Sequence, residues 1–190
     1  GTSKDTHNQP LRSGKGSGYE GGIRVPLILS WAGASRPGYE LPADSMLPFA
    51  TLSNDLYSTI ADVAQIPRDW RHVDENAHAV SLWPIIAGKL GVVQRPMVWH
   101  YPHKWGPSGD RYEPFTAWRE GYYKLIYWYE AEQFELYNLQ NDIGESNDLI
   151  NSHPEIAQRL ANNLQQWMTA VDAQRPRRKA DGEMLPLPTL

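Results

Sequence analysis

The chain has 190 residues, enough for one ordinary domain or for one domain plus part of another, and a formal net charge of −4. Its basic residues cluster only at Arg175–Lys179, among prolines, which argues against a nucleic-acid footprint. Hydrophobic residues make up 41%, so a packed core is expected, and the lack of cysteine excludes disulfides and thiolate chemistry. No apolar run approaches the ~20 residues that span a bilayer.

Residues 1–22 are polar and glycine-rich, the composition of a loop. The run Ile23 to Trp31 is short, apolar and β-branched, a pattern that predicts a strand buried on both faces of a largely parallel sheet. One strand makes no sheet, so its neighbours are expected from elsewhere. Thr51 to Gln65 predicts a helix capped by Thr51 or Ser53, with Leu56, Ile60, Val63 and Ala64 on its apolar side and Pro67 beyond its end. Val80 to Gly88 predicts a short helical turn opening at Pro84 and stopped by Gly88.

After Arg95 the pattern changes. Residues 96–101, 115–119, 122–128 and 134–137 are strand-like, and the last two predict a hairpin across Tyr129 to Gln133. Asn138 to Leu149 is dense in turn formers, with Asp142 and Glu145 as turn and cap residues. Ser152-His-Pro-Glu155 has the pattern of a capping box. Ile156, Leu160, Leu164, Trp167, Met168 and Val171 then form one stripe, which predicts a helix over 153–172 lying on the small antiparallel sheet. From Gln174 the chain is expected to be extended.

Four features carry candidate chemistry. Lys15, between Gly14 and Gly16, sits where flexible glycines let backbone approach an anion and an ammonium supplies a compact charge; a solvated lysine on a mobile loop is the alternative. Glu20 and Arg24 flank Gly21-Gly22 and are expected to pair and fix the loop, with direct substrate contact as the alternative. His100 and His103, at a strand end and the loop after it, are candidates for substrate contact or for structural hydrogen bonding. Spaced by three, they also suggest zinc, but no third ligand is evident and no metal ligand is assigned. Trp105, Arg111 and Trp118 are candidate linings of a sugar subsite.

The segment Leu11-Arg-Ser-Gly-Lys-Gly-Ser-Gly-Tyr-Glu-Gly-Gly-Ile-Arg-Val-Pro26 resembles the lysine-bearing loop of type I, formylglycine-dependent sulfatases. Ser53 to Pro67 is similar to that family's following helix, and Val80-Ser-Leu-Trp-Pro84 to its Gly-x-Ser-Leu-x-Pro turn. Gly121-Tyr-Tyr-Lys-Leu-Ile126, with Glu135 to Leu139 and then Asp142, Glu145 and Asn147, resembles its C-terminal hairpin and turn. Together these motifs cover most of residues 11–172 in family order.

The resemblance implies an α/β fold of alkaline-phosphatase type. Residues 1–92 would be the C-terminal portion of its catalytic domain, and 93–190 an α+β subdomain of antiparallel sheet plus helix. It implies an arylsulfatase or carbohydrate sulfatase in which Lys15 is catalytic and contacts the sulfate, with His100 and His103 near the pocket rim. Calcium is the implied cofactor, with no ligands here, and the implied location is periplasmic or secreted. A carbohydrate-binding module built on the aromatic sheet, and a phosphate-ester or phosphonate hydrolase, are the competing readings.

The family's Cys/Ser-x-Pro-Ser-Arg maturation motif, its acidic metal cluster and the Asp-Asn-Gly or Asp-His-Gly segment before the lysine loop are not in this sequence. The expectation is a segment that depends on an N-terminal catalytic portion for nucleophile and metal. Purified residues 1–190 should therefore show no turnover of sulfate esters, and should either self-associate through the unpaired strand or have a poorly ordered N-terminal third. An active preparation, or a monomer with its first third protected from hydrogen exchange, overturns this expectation.

Overall fold

The computed structural model describes residues 8–31, 41–47, 49–67, 78–91, 94–104 and 110–190. The chain divides into two compact units, residues 1–25 with 96–190 and residues 26–95. The lysine loop thus belongs with the C-terminal sheet, not with the segment that follows it.

In the larger unit, β1 (Met97–Tyr101), β2 (Phe115–Glu120), β3 (Tyr123–Trp128) and β4 (Gln133–Asn138) form an antiparallel meander in the order β1-β2-β3-β4. Gly121, at φ +60°, makes the β2–β3 turn, and residues 129–132 close the expected β3–β4 hairpin. The register carries Val98, Trp118, Leu125 and Leu136 onto one face, and Trp99, Ala117, Ile126 and Glu135 onto the other.

The first face is covered by α4 (Pro154–Ala170), whose Ala157, Leu160, Ala161, Leu164 and Met168 pack on Trp118, Leu125, Tyr127 and Leu136. The expected stripe is present, although Ile156, Trp167 and Val171 are only half buried. The capping box does not form. His153 is the N-cap and makes no side-chain cap bond, while the Ser152 hydroxyl turns back to the Leu149 carbonyl. Pro154, without an N–H, leaves nothing to cap at the first helical position.

The second face is covered by the N-terminal loop and by α1 (Glu20–Ile23), through Tyr19, Phe115, Ala117, Ile126, Trp128 and Tyr137. Of the stretch Ile23 to Trp31, expected as a strand, Ile23 ends α1 and residues 24–31 form no strand with any described residue, with Val25 and Ile28 79% and 86% exposed. Sequence marks an apolar strand; only partner backbone makes one.

In the smaller unit, α2 (Asp55–Val63) and α3 (Trp83–Ile86) pack through Val63, Leu82, Trp83 and Ile86. Pro84 opens α3 and Gly88, at φ +66°, follows its end as expected. Neither Thr51 nor Ser53 caps α2. Its N-cap is Asn54, and the Asp55 carboxylate accepts the N–H groups of Leu52 and Val80 and pairs with Arg95. Contrary to the expected apolar side, Ile60 is exposed, while Thr59 is buried and accepts the Leu82 N–H.

Leu164 is fully buried between α4 and the sheet. Leu164→Ala should cost about 2–5 kcal/mol, read from the urea midpoint of the larger unit.

Candidate functional site

The lysine loop folds tightly on itself. Gly21 N–H donates to the Arg12 carbonyl at 3.0 Å, and the Asn8 amide donates to the Gly21 carbonyl at 2.7 Å. A Cβ on Gly21 would lie 2.2 Å from the Arg12 carbonyl oxygen, one on Gly22 2.0 Å from that of Ser17, and one on Gly18 2.7 Å from the Phe115 ring. Three of the glycines are therefore space requirements of close packing. Gly16, at φ +101°, is needed instead for the turn beside Lys15.

Side chains then fasten the loop to the sheet. The Arg12 guanidinium lies 3.8 Å over the Tyr19 ring and donates to Asp110, to the Tyr137 hydroxyl and to the Glu145 carbonyl. The Tyr19 hydroxyl donates to Glu135 at 2.7 Å, and Glu135 also accepts from Tyr137 and Arg111. Burial and the bond to Glu135 raise the Tyr19 pKa, so this phenol remains a neutral donor. Lys124, fully buried on β3, donates to Glu20 at 3.0 Å and to Glu145 at 2.8 Å. Burial raises the Glu145 pKa, and the Lys124 ammonium opposes that shift without cancelling it.

Lys15 is exposed within this pinned loop, while its neighbours Gly14, Ser17, Gly18, Tyr19 and Glu20 are buried. A cation held on a rigid base costs little reorganisation when it meets an anion. Arg24 does pair with Glu20, but at 3.8 Å; the tighter partner is Lys124. Asp142 is a turn residue, accepting the Ser146 and Asn147 N–H groups and the Ser146 hydroxyl. Glu145 is not merely a cap: it is fully buried and ion-paired. No turn-composition signal distinguishes it from Asp142, because its burial depends on Lys124 and Glu20.

The two histidines part company. His100 points to the α4 face, opposite the lysine loop: its Nε2 meets the Gln174 carbonyl at 2.6 Å and its ring stands edge-on to Trp167 at 6.2 Å. Its Nδ1 is buried without a hydrogen-bond partner among the described residues. His103 is exposed beyond β1, with its ring 6.1 Å from Tyr101. Tyr101 belongs to the loop-covered face.

Of the expected sugar-subsite residues, Trp118 is buried against the helix face and Arg111 is held by Glu113 and Glu135; Trp105 lies outside the described residues. Phe115, Tyr127, Trp128, Phe134 and Tyr137 are also core, so the aromatic richness of the sheet is packing and not an open stacking platform. Among the described residues no group of three or more His, Asp or Glu side chains is placed to hold a metal ion, and no described helix is long and apolar enough to cross a membrane.

A four-strand antiparallel meander backed by one helix is the architecture of the C-terminal part of sulfatases of the alkaline-phosphatase-like fold, and comparisons with known proteins place this chain there. Residues 14–174 match the family described as N-sulphoglucosamine sulphohydrolase, C-terminal, and the chain belongs to that family. It is 33% identical over 180 residues to a sulfatase of Formosa agariphila, covering 88% of this chain and 31% of that protein. It is 28% identical over 188 residues to human arylsulfatase A, covering 86% and 34%. The chain thus spans about a third of the length of these curated relatives. Among solved structures it is similar to Ps i-CgsB in complex with k-i-k-neocarrahexaose, with a TM-score of 0.63, 26% identity, and coverage of 95% of this chain and 37% of that one.

Burial lowers the His100 pKa from its ordinary value of 6.5, with the Gln174 bond opposing and the His103 charge adding to the effect. Its neutral form is favoured in the fold, so the stability it contributes is present above pH 6.5 and is lost as pH falls through the lowered folded value. His100→Gln should lose less stability than the parent between pH 7.5 and pH 5, compared by urea unfolding.

Proposed function

We propose that the full-length protein is a sulfuric ester hydrolase and that this chain supplies Lys15 as a sulfate-contacting cation. The observation that carries the reading is the exposed Lys15 on a loop whose other residues are locked by close-packed glycines and buried charges. Sulfatase relatives over most of the chain support it. The Lys15 ammonium would meet negative charge developing on the sulfuryl and leaving oxygens. His103, exposed beyond β1, is the histidine we assign to substrate contact. His100, bonded to Gln174 on the other face, is assigned to holding the C-terminal segment on the sheet.

The substrate class we favour is a sulfated carbohydrate, because the structural relative at 26% identity holds a neocarrahexaose; an aryl sulfate remains the comparison substrate. Calcium and the formylglycine nucleophile, both implied by the family, are assigned to the rest of the enzyme. We assign the enzyme to the periplasm or the extracellular space. The exposed apolar stretch at residues 24–31 is assigned to the catalytic sheet of the full-length enzyme, which would supply the missing strand partners.

Lys15→Ala in the full-length enzyme should lower turnover of a sulfated oligosaccharide by about 10²–10³, typical of a lost transition-state donor, with an unchanged near-ultraviolet spectrum. A loss below about threefold removes Lys15 from the mechanism. Parallel assays with sulfate and phosphate esters decide the reaction class.

A further inference from the structure

Lys124 joins three stretches of sequence that are far apart. It lies on β3, with Arg119 and Tyr137 as its register partners. Glu20 lies 104 residues before it and Glu145 lies 21 residues after it. The Lys124 ammonium bridges one carboxylate oxygen of each glutamate, and the other Glu145 oxygen accepts the Glu20 backbone N–H at 2.6 Å. The result is a closed ring of charged hydrogen bonds that fixes both the side chain and the backbone of Glu20. All three side chains are buried, and the second negative charge is met by Arg24, 3.8 Å from Glu20, and by the electrostatic pull of Arg119, the register partner of Lys124.

Such a triad is a poor source of net stability, because desolvation offsets much of its attraction. It is a strong geometric constraint, since moving any member strands an uncompensated charge in a dry interior. The member it fixes is the first residue of α1, at the end of the loop that presents Lys15. Gly21 and Gly22 then carry the constraint back to Arg12 and Ser17 through backbone contacts that leave no room for a Cβ.

We propose that Lys124, through Glu20 and Glu145, is a positioning residue that sets where Lys15 stands against the sulfate group. This rests on the sulfatase reading for the role of Lys15, but the mechanical link from triad to loop does not. A displacement of about 1 Å at a reacting group can cost about 10²-fold in rate, so a rigid anchor buried away from the chemistry matters to turnover.

The test uses the full-length enzyme and the neutral replacement Glu20→Gln/Lys124→Met/Glu145→Gln, which strands no buried charge. It is made with and without Lys15→Ala. With Lys15 present, kcat/KM for a sulfated oligosaccharide should fall about tenfold to hundredfold. In the Lys15→Ala background the same triple replacement should cost less than about twofold, the coupling expected of groups that act as one unit. Equal losses in both backgrounds overturn the proposal and leave the triad a purely structural element.

Amide hydrogen exchange supplies a readout independent of activity. Exchange at residues 13–23 should rise at least about tenfold in the triple variant while α4 is unchanged, as in a local opening. Unchanged exchange in the loop overturns the proposal. If Lys15→Ala alone leaves kcat/KM intact, the sulfate reading fails and the exchange measurement decides the anchor. Should the triple variant not fold, Glu20→Gln, which keeps the Lys124–Glu145 pair, must show the same pattern at smaller amplitude, and its absence is equally decisive.

Discussion

A single ammonium buried between two carboxylates organises the larger unit. Lys124 on the sheet can be dry only because Glu20 and Glu145 reach it, and each glutamate brings its own stretch of chain. Glu20 brings the loop that carries Lys15; Glu145 brings the turn after β4, whose backbone carbonyl also accepts Arg12. Lose the ammonium, and two carboxylates are left facing each other in a dry interior, with Arg12 and Tyr19 still tying loop and turn to this face.

The sheet separates two tasks by the alternation of its side chains. One face is ordinary hydrophobic packing against α4, with Leu125, Leu136, Leu160 and Leu164 at its centre. The other begins with an aromatic layer of Tyr19, Phe115 and Trp128 and ends in a network of Arg12, Glu135, Tyr137, Lys124 and Glu145. Apolar packing supplies stability without direction; charged hydrogen bonds supply direction with little net stability. A loop that must hold a cation in a fixed place needs the second kind. The same logic accounts for the glycines, since backbone packed directly on backbone cannot be replaced by side chains that rotate.

The two histidines show how one strand residue decides a role. Trp99 and Tyr101 face the lysine loop, and His100, between them, necessarily faces the helix. Motif spacing places His100 and His103 together in sequence, but the pleat sends His100 to the opposite face. Burial then favours its neutral form, which suits a residue bonded to the backbone of the C-terminal segment.

Much of this was legible in the sequence. The four strands, their hairpin and the α4 stripe follow from hydrophobic period alone, because local burial on a sheet or helix repeats with the backbone. The family order of motifs identified the lysine loop for the same local reason. Partnership across the chain was not legible. Lys124 has the appearance of a solvated strand residue and Glu145 of a turn residue, and each is reversed by a partner far away in sequence; Ile60 has that of a core residue and is exposed. The stretch Ile23 to Trp31 has a strand's composition without a strand's hydrogen bonds, since pairing belongs to two backbones and not to one. Sequence by itself determined the elements and the presence of a mobile-looking loop with a lysine. Tertiary structure alone decided that the loop is locked, because the locking charges meet only when strand, loop and turn are folded together.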